Sequence, residues 1–207
     1  MDFYNHFLNN VKIKAYCRRF FTFGVGGIHM EQLQFKKCTT EKQELINFLC
    51  GNTWPFHAEN KQNPDDVKIT FEKGWYADDR ETFWIEQDDN KVGLVIIHDI
   101  SDTIPLFDLR LSAEARGQGI GMKTLLWLKD YLFNKPHEKI RIEAYTRSDN
   151  LAMRKCFTKA GFVKEGYLRQ AWENTDGTVS DSVLYGAIRM DWENNCITPI
   201  KLDVVPY

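Results

Sequence analysis

Six residues, Arg116-Gly117-Gln118-Gly119-Ile120-Gly121, combine one cation with three glycines at alternating positions. Glycine has no Cβ, so the backbone N–H groups of such a run can face a ligand directly. An apolar strand-like stretch, Pro105–Leu111, precedes the run, and an amphipathic helix-like stretch from Met122 to Phe133 follows it. A helix start offers free N–H groups and the positive end of the helix dipole, so the chemistry on offer is anion binding, a pyrophosphate in particular. Two nucleotide readings fail on spacing. A dinucleotide fingerprint needs G-x-G-x-x-G, whereas the glycines here fall as G-x-G-x-G; a Walker loop ends in G-K-[ST], which Gly121-Met122-Lys123 does not supply. For the loop alone, a tight glycine connection with no ligand competes on even terms.

The elements that would hold this loop can be read from periodicity and punctuation. Residues 32–37 alternate as a short strand. Thr40-Glu41-Lys42-Gln43 reads as a capping box for a helix over 41–50, stopped by Gly51. Trp54-Pro55-Phe56-His57 falls in a loop, and Asn63-Pro64-Asp65-Asp66 starts a helix that runs to about Lys73. Residues 82–87 and 91–99 form a predicted hairpin through Asp88-Asp89-Asn90. After the glycine loop, Leu125, Leu128 and Leu132 share one helical face. A strand over 139–145, a helix capped by Asp149 or Asn150 and ended by Gly161, and two closing strands at 166–172 and 182–190 complete the chain.

The 207 residues suit one domain, and 43% hydrophobic with 27% charged residues is an ordinary globular composition. The net charge of −2 gives no reason to expect a nucleic-acid partner. Five cysteines without a C-x-x-C pair read as reduced thiols, with no disulfide frame and no metal site, and so as a cytoplasmic protein. No apolar run approaches the roughly 20 residues that span a membrane. Residues 1–29 are aromatic and basic without a clear period, and are assigned as an N-terminal extension. Gly26-Gly27-Ile28-His29-Met30 reads as a translated ribosome-binding site before an initiator methionine, which would put that extension outside the native protein. Without the first 30 residues, with four basic groups and one acidic, 23 basic and 28 acidic groups remain, a net charge of −5. The functional domain is assigned to 30–193 and a C-terminal tail to 194–207.

The downstream half gives the glycine loop a context. The stretch Asn150-Leu151-Ala152-Met153-Arg154-Lys155-Cys156-Phe157-Thr158-Lys159-Ala160-Gly161-Phe162 resembles the second signature of the GNAT acetyltransferase superfamily. Arg116, Gly119 and Gly121 match its first signature, [QR]-x-x-G-x-[GA]. The order of elements from 31 to 192 is similar too. Residues 181–192 resemble the last strand of the branch that acetylates ribosomal proteins and N-terminal amines, while Trp54–His57 and Thr146–Asn150 resemble a bacterial subgroup. The resemblance implies an α/β (α+β) fold: a single GNAT-like domain with a mixed, mostly antiparallel twisted sheet flanked by helices, its central parallel strands splayed to bind acetyl-CoA. It further implies that backbone groups of Arg116, Gly117, Gln118, Gly119, Ile120 and Gly121 hold the coenzyme pyrophosphate, with charge from Arg116 and help from Lys123. Main-chain groups of Leu109 and Leu111 would pair with the pantetheine arm like an added strand. Asn150 would hydrogen-bond that arm, or serve as a helix cap, or both; Arg154 would approach from the next helix.

Acetyl transfer to an amine needs a neutral amine, and an alkylamine pKa of about 10.4 calls for a base or a water chain at neutral pH. Glu143 is the first candidate base, against a structural ion pair with Arg141 or Arg110; Asp108 and Asp99 come after it. The family places its acid, a tyrosine, seven residues after the asparagine, and this chain has Phe157 there. Tyr167 or Tyr185 is the substitute, or the thiolate leaves unaided. Trp54, His57 and Trp172 are assigned to acceptor binding. The expected partners are acetyl-CoA and an amine acceptor, on a monomer or homodimer without a metal. Because Phe157 replaces the tyrosine, a non-catalytic acyl-CoA-binding sensor competes with the enzyme. A nucleic-acid or partner-binding role depends on the basic arm at 1–29.

Overall fold

The computed structural model describes residues 33–135 and 139–201, all within the compact unit Glu31–Tyr207. The assignments made for residues 1–29, and for the end of the tail beyond residue 201, lie outside the described residues.

Strands β2 (Arg80–Gln87) and β3 (Asn90–His98) are buried on both faces along most of their length, as their unbroken apolar runs require. They pair antiparallel through a two-residue turn in which Asp88 (φ 49°) and Asp89 (φ 61°) both take positive φ. That is the turn whose twist suits a hairpin, and aspartate tolerates it better than most residues. Period-2 alternation then sorts the side chains. Phe83, Ile85, Val95 and Ile97 enter one core, beneath helices α3 (Ile120–Phe133) and α4 (Leu151–Lys159). Trp84, Leu94 and Ile96 enter a second, beneath α1 (Lys42–Gly51) and α2 (Pro64–Glu72).

β1 (Leu33–Lys37) and β4 (Leu106–Leu111) complete a four-stranded antiparallel sheet in the order β1-β2-β3-β4. A second sheet is ordered β5-β7-β6, from β5 (Arg141–Arg147), β6 (Val163–Glu173) and β7 (Val179–Ile188). The two sheets meet where β4 and β5 run parallel. Ile140 N donates to Thr103 O and Glu143 N to Pro105 O, each at 3.0 Å, at the base of the two strands. Past that point β4 and β5 belong to separate sheets, and a cleft opens between them.

Several local expectations need correction. Thr40 does not cap α1; the N-cap is Glu41, whose own carboxylate accepts from Thr39 N and Thr40 N at 2.8 Å. Gly51 lies inside the last turn of that helix, and the side chain of Asn52 closes it onto Phe48 O. The last strand stops at Ile188, because Arg189 turns away to donate to Lys139 O, Phe133 O and Lys135 O and begins α5 (Arg189–Asn194).

Leu125, Leu128 and Leu132 of α3 are fully buried against the sheet. Leu128→Ala should therefore lower the unfolding free energy by about 2–5 kcal/mol, read from the midpoint of chemical denaturation.

Candidate functional site

The glycine run forms the entry to α3. Gly117 (φ +77°) and Gly119 (φ +80°) have backbone conformations that side chains resist, and a Cβ built on either would meet nothing within 4 Å. Gly119 is the N-cap of α3, and no side chain caps its amides, so the first turn of N–H groups points outward unclaimed. Ile120 is buried beneath. Together with Leu109, Leu111, Asn150, Met153, Lys155, Cys156 and Lys159, these glycines line a cavity of about 490 Å³, referred to below as the first chamber. It joins a free strand edge, an amide-lined turn and two lysines, which fits a long ligand with an anionic end.

A second chamber of about 470 Å³ lies on the other side of β4. Leu111 lines the first chamber alone, Leu106, Phe107, Asp108 and Arg110 line the second, and Leu109 borders both. Here Asp108 Oδ1 meets His57 Nε2 at 2.9 Å, and its other oxygen accepts from Arg110 Nε, also at 2.9 Å. Burial pushes the Asp108 carboxyl up, but the Arg110 guanidinium and then His57 outweigh it and hold it well below the usual carboxylate range. An ionised carboxylate only accepts, so Nε2 carries a proton toward Asp108 and Nδ1 is the ring nitrogen left over. His57 Nδ1 is buried and has no protein partner.

Residues 53–58 form a strap between the chambers. Phe56 and His57 line both. The strap is tied down from both sheets. Arg116 donates through Nη2 to Thr53 O at 2.6 Å and through Nε to Leu111 O at 3.0 Å, and its guanidinium lies 5.9 Å from the Trp54 ring. Arg147, at the end of β5, donates to Pro55 O at 3.4 Å and lies over the Phe56 ring. Thr175 N, in the β6–β7 connection, donates to Ala58 O at 3.3 Å.

The positions assigned from sequence distribute unevenly. Leu109, Leu111, Gly117, Gly119, Gly121 and Asn150 gather at the first chamber. Asn150 is also the N-cap of α4: Oδ1 accepts from Met153 N and Nδ2 donates to Thr146 Oγ1. Arg116 borders the chamber, but its guanidinium is committed to carbonyl oxygens instead of facing an anion. Gln118 donates to Glu114 O, and neither Gln118 nor Lys123 lines the chamber. Arg154 closes the β5–α4 turn by donating to Ser148 O, leaving Lys155 and Lys159 as the lysines at the cavity. Trp54 is 1% exposed, donates to Leu49 O and borders the first chamber, not the second. His57 and Trp172 do line the second chamber.

The first-choice acid and base fall elsewhere. Glu143 pairs with Arg141 at 3.0 Å and accepts from the Tyr145 hydroxyl at 3.1 Å; it lines neither chamber. Tyr167 is 60% exposed, with its hydroxyl held by Asp181. Tyr185 is buried, its ring 4.8 Å from that of Phe157, and it too lines neither chamber. Phe157 fills the wall of the second chamber within a cluster of Phe107, Phe162 and Tyr185. What sequence reasoning missed is the pairing of His57 with Asp108, 51 residues apart, and the part of Arg110 in it. The available signal was an acid and an arginine two apart on an otherwise apolar strand.

Arg116→Met should separate the two partners. Loss of the Thr53 tie is expected to raise the acceptor KM about 3- to 10-fold while acetyl-CoA affinity, read by calorimetry, stays within about twofold. A large loss of coenzyme affinity would instead give Arg116 direct phosphate contact.

The Acetyltransferase (GNAT) family model matches residues 46–162. Among solved structures, a chimera of spermidine N-acetyltransferase SpeG from Vibrio cholerae and hSSAT superposes with a TM-score of 0.68 at 18% identity, covering 79% of this chain and 99% of that one. The SpeG enzyme of Vibrio cholerae in complex with manganese ions gives 0.65 at 19%, covering 79% and 96%. A structure described as a probable acetyltransferase gives 0.65 at 18%, covering 78% and 96%. These likenesses show the fold. No curated protein matches in sequence. Among the described residues no cluster of His, Cys, Asp or Glu is placed to hold a metal, and no helix is long and apolar enough to cross a membrane.

Proposed function

This chain belongs to the GNAT acetyltransferase family, and on that premise we propose that it moves an acetyl group from acetyl-CoA to a primary amine by direct attack at the junction of the two chambers. The single observation that carries the reading is the His57–Asp108 pair, because His57 sits on the strap facing both chambers.

The residues of the first chamber fit the coenzyme. Amides of residues 117–122 meet the pyrophosphate, Lys155 and Lys159 add positive charge, and the free edge of β4 accompanies the pantetheine arm. Acetyl-CoA supplies an activated acyl group on a thiol of low enough pKa to leave as thiolate. The amine nitrogen forms a bond to the acyl carbon, the carbon–sulfur bond breaks, and the amine proton passes to His57 Nδ1. Asp108 holds the ring through Nε2–H and stabilises the imidazolium that forms. Arg110 keeps Asp108 ionised throughout. Phe157 has no proton to give, so the thiolate takes one from water.

The structural neighbours are spermidine N-acetyltransferases, and this reading shares with them an amine acceptor. The likeness of residues 181–192 to the ribosomal-protein branch adds a protein N-terminus to the acceptors worth testing. Release of the coenzyme thiol in the presence of acetyl-CoA and a panel of primary amines tests the enzyme. Tight acetyl-CoA binding with no thiol released by any amine would favour the sensor, which the missing tyrosine hydroxyl at Phe157 supports.

A further inference from the structure

The apolar lining of the cleft does not stop where the first chamber stops. Phe56, His57, Leu109, Asn150 and Met153 border both chambers and mark their junction. Past them, toward the start of β4, the second chamber continues along Phe107 and Leu106. At about 3.3 Å per residue, Phe107 lies about 6–7 Å beyond Leu109 along the strand. The slot ends where Glu143 N donates to Pro105 O and the two strands join. Leu106, Phe107, Leu109 and Met153 are all half-buried, so each keeps accessible surface in the cleft they line.

The two faces of β4 give this chamber two unlike sides. Phe107 and Leu109 pack against the main core together with Met153 of α4. Asp108 and Arg110 alternate to the other side, where Asp108 holds His57. On the α4 side the polar side chains are occupied with their neighbours. Asn150 Nδ2 donates to Thr146 Oγ1 at 3.0 Å, and Asn150 Oδ1 accepts from Met153 N at 3.2 Å. Phe157 backs Phe107, with ring centroids 6.2 Å apart, and carries no hydroxyl. Such a surface takes an alkyl group readily and charges a penalty for burying a polar one.

On the acetyltransferase reading above, the pyrophosphate lies at residues 117–122, beyond the end of β4. The thioester then points back toward the start of the strand, and the acyl group faces the slot. We propose that the slot receives the alkyl chain of acyl groups longer than acetyl, so that butyryl-CoA and similar straight-chain thioesters are donors, while the amine keeps the polar side with His57. The transfer balances as it does for acetyl. The amine nitrogen bonds to the acyl carbon, the carbon–sulfur bond breaks, the amine proton passes to His57, and the coenzyme thiolate takes a proton from water.

The test titrates the full chain calorimetrically with acetyl-, butyryl-, hexanoyl- and succinyl-CoA in the absence of amine. It then measures kcat/KM for each donor with the primary amine that releases most coenzyme thiol. Butyryl-CoA should bind more tightly than acetyl-CoA, by up to about fourfold per added methylene, and with a more negative heat-capacity change. Its kcat/KM should be no less than about a tenth of the acetyl-CoA value, whereas a site closed behind an acetyl methyl loses about tenfold or more per methylene. Succinyl-CoA, as long as butyryl-CoA but ending in a carboxylate, should bind at least about tenfold more weakly than butyryl-CoA. Phe107→Trp, which fills the slot, should lower the butyryl-to-acetyl affinity ratio about tenfold. Phe107→Leu, which lengthens it, should shift the preference toward hexanoyl-CoA and serves if the tryptophan disturbs folding. Butyryl-CoA bound more weakly than acetyl-CoA, a kcat/KM below that tenth, or succinyl-CoA bound as well as butyryl-CoA would overturn the inference and leave the acetyltransferase intact. So would affinity ratios unchanged in both variants. No thiol released from any donor by any amine would overturn the transferase reading and the donor role with it.

Discussion

His57→Gln lowers kcat by a factor of about 10²–10⁴ and leaves the dissociation constant for acetyl-CoA within about threefold. Glutamine can still donate an N–H to Asp108, so the strap keeps its tie to β4 while the proton-accepting nitrogen is gone. The loss should therefore appear in kcat, with little change in the coenzyme step or in thermal midpoint. Glu143→Gln is the matched control. Glu143 reaches the second chamber only through the Tyr145 hydroxyl, so its removal should leave kcat within about threefold. A fully active His57→Gln enzyme, or a larger loss in Glu143→Gln, would return the base to Glu143. Asp108→Asn is a poorer probe, since it leaves the half-buried Arg110 cation unpaired and mixes a folding defect of about 3–5 kcal/mol with any loss of turnover.

Gly119→Glu weakens acetyl-CoA binding by more than about 100-fold. Two effects combine. Any side chain at φ +80° is strained by about 1–2 kcal/mol, and the glutamate carboxylate projects into the space in front of the α3 amides where an anion must sit. Gly74 separates the two, because it also has positive φ (+76°) and open surroundings but lies beyond α2, away from both chambers. Gly74→Glu should show the backbone strain in a melting experiment and bind acetyl-CoA normally. Coenzyme affinity unchanged in Gly119→Glu would remove the pyrophosphate from this loop.

Local features were legible in the sequence wherever neighbours in the chain decide the outcome. Asn63-Pro64 starts α2 with the asparagine side chain accepting from Asp65 N, and the leucines of α3 face the core as their spacing demands. The strand–glycine–helix unit is local too. The His57–Asp108 pair, our proposed base, was not legible, because its two residues lie on different elements. His57 looks like an ordinary loop histidine until the strap is folded against β4. Arg116 illustrates the opposite case: a cation in an anion loop suggests the anion, while in the fold its planar guanidinium, at the border of the first chamber, donates to Thr53 O and Leu111 O. Glu143 lay on the expected strand, but Arg141 two residues earlier on the same face claimed it first.

The strap has a consequence for how this chain could change its specificity. Phe56 and His57 line both chambers, so on the proposed reading a substitution there alters both partners at once, and a gain with a new amine carries a penalty with the coenzyme. Trp172, near the end of β6, lines the second chamber and not the first. Drift toward new acceptors should therefore concentrate around Trp172 and the neighbouring hairpin, while residues 53–58 resist change even in relatives with unlike substrates.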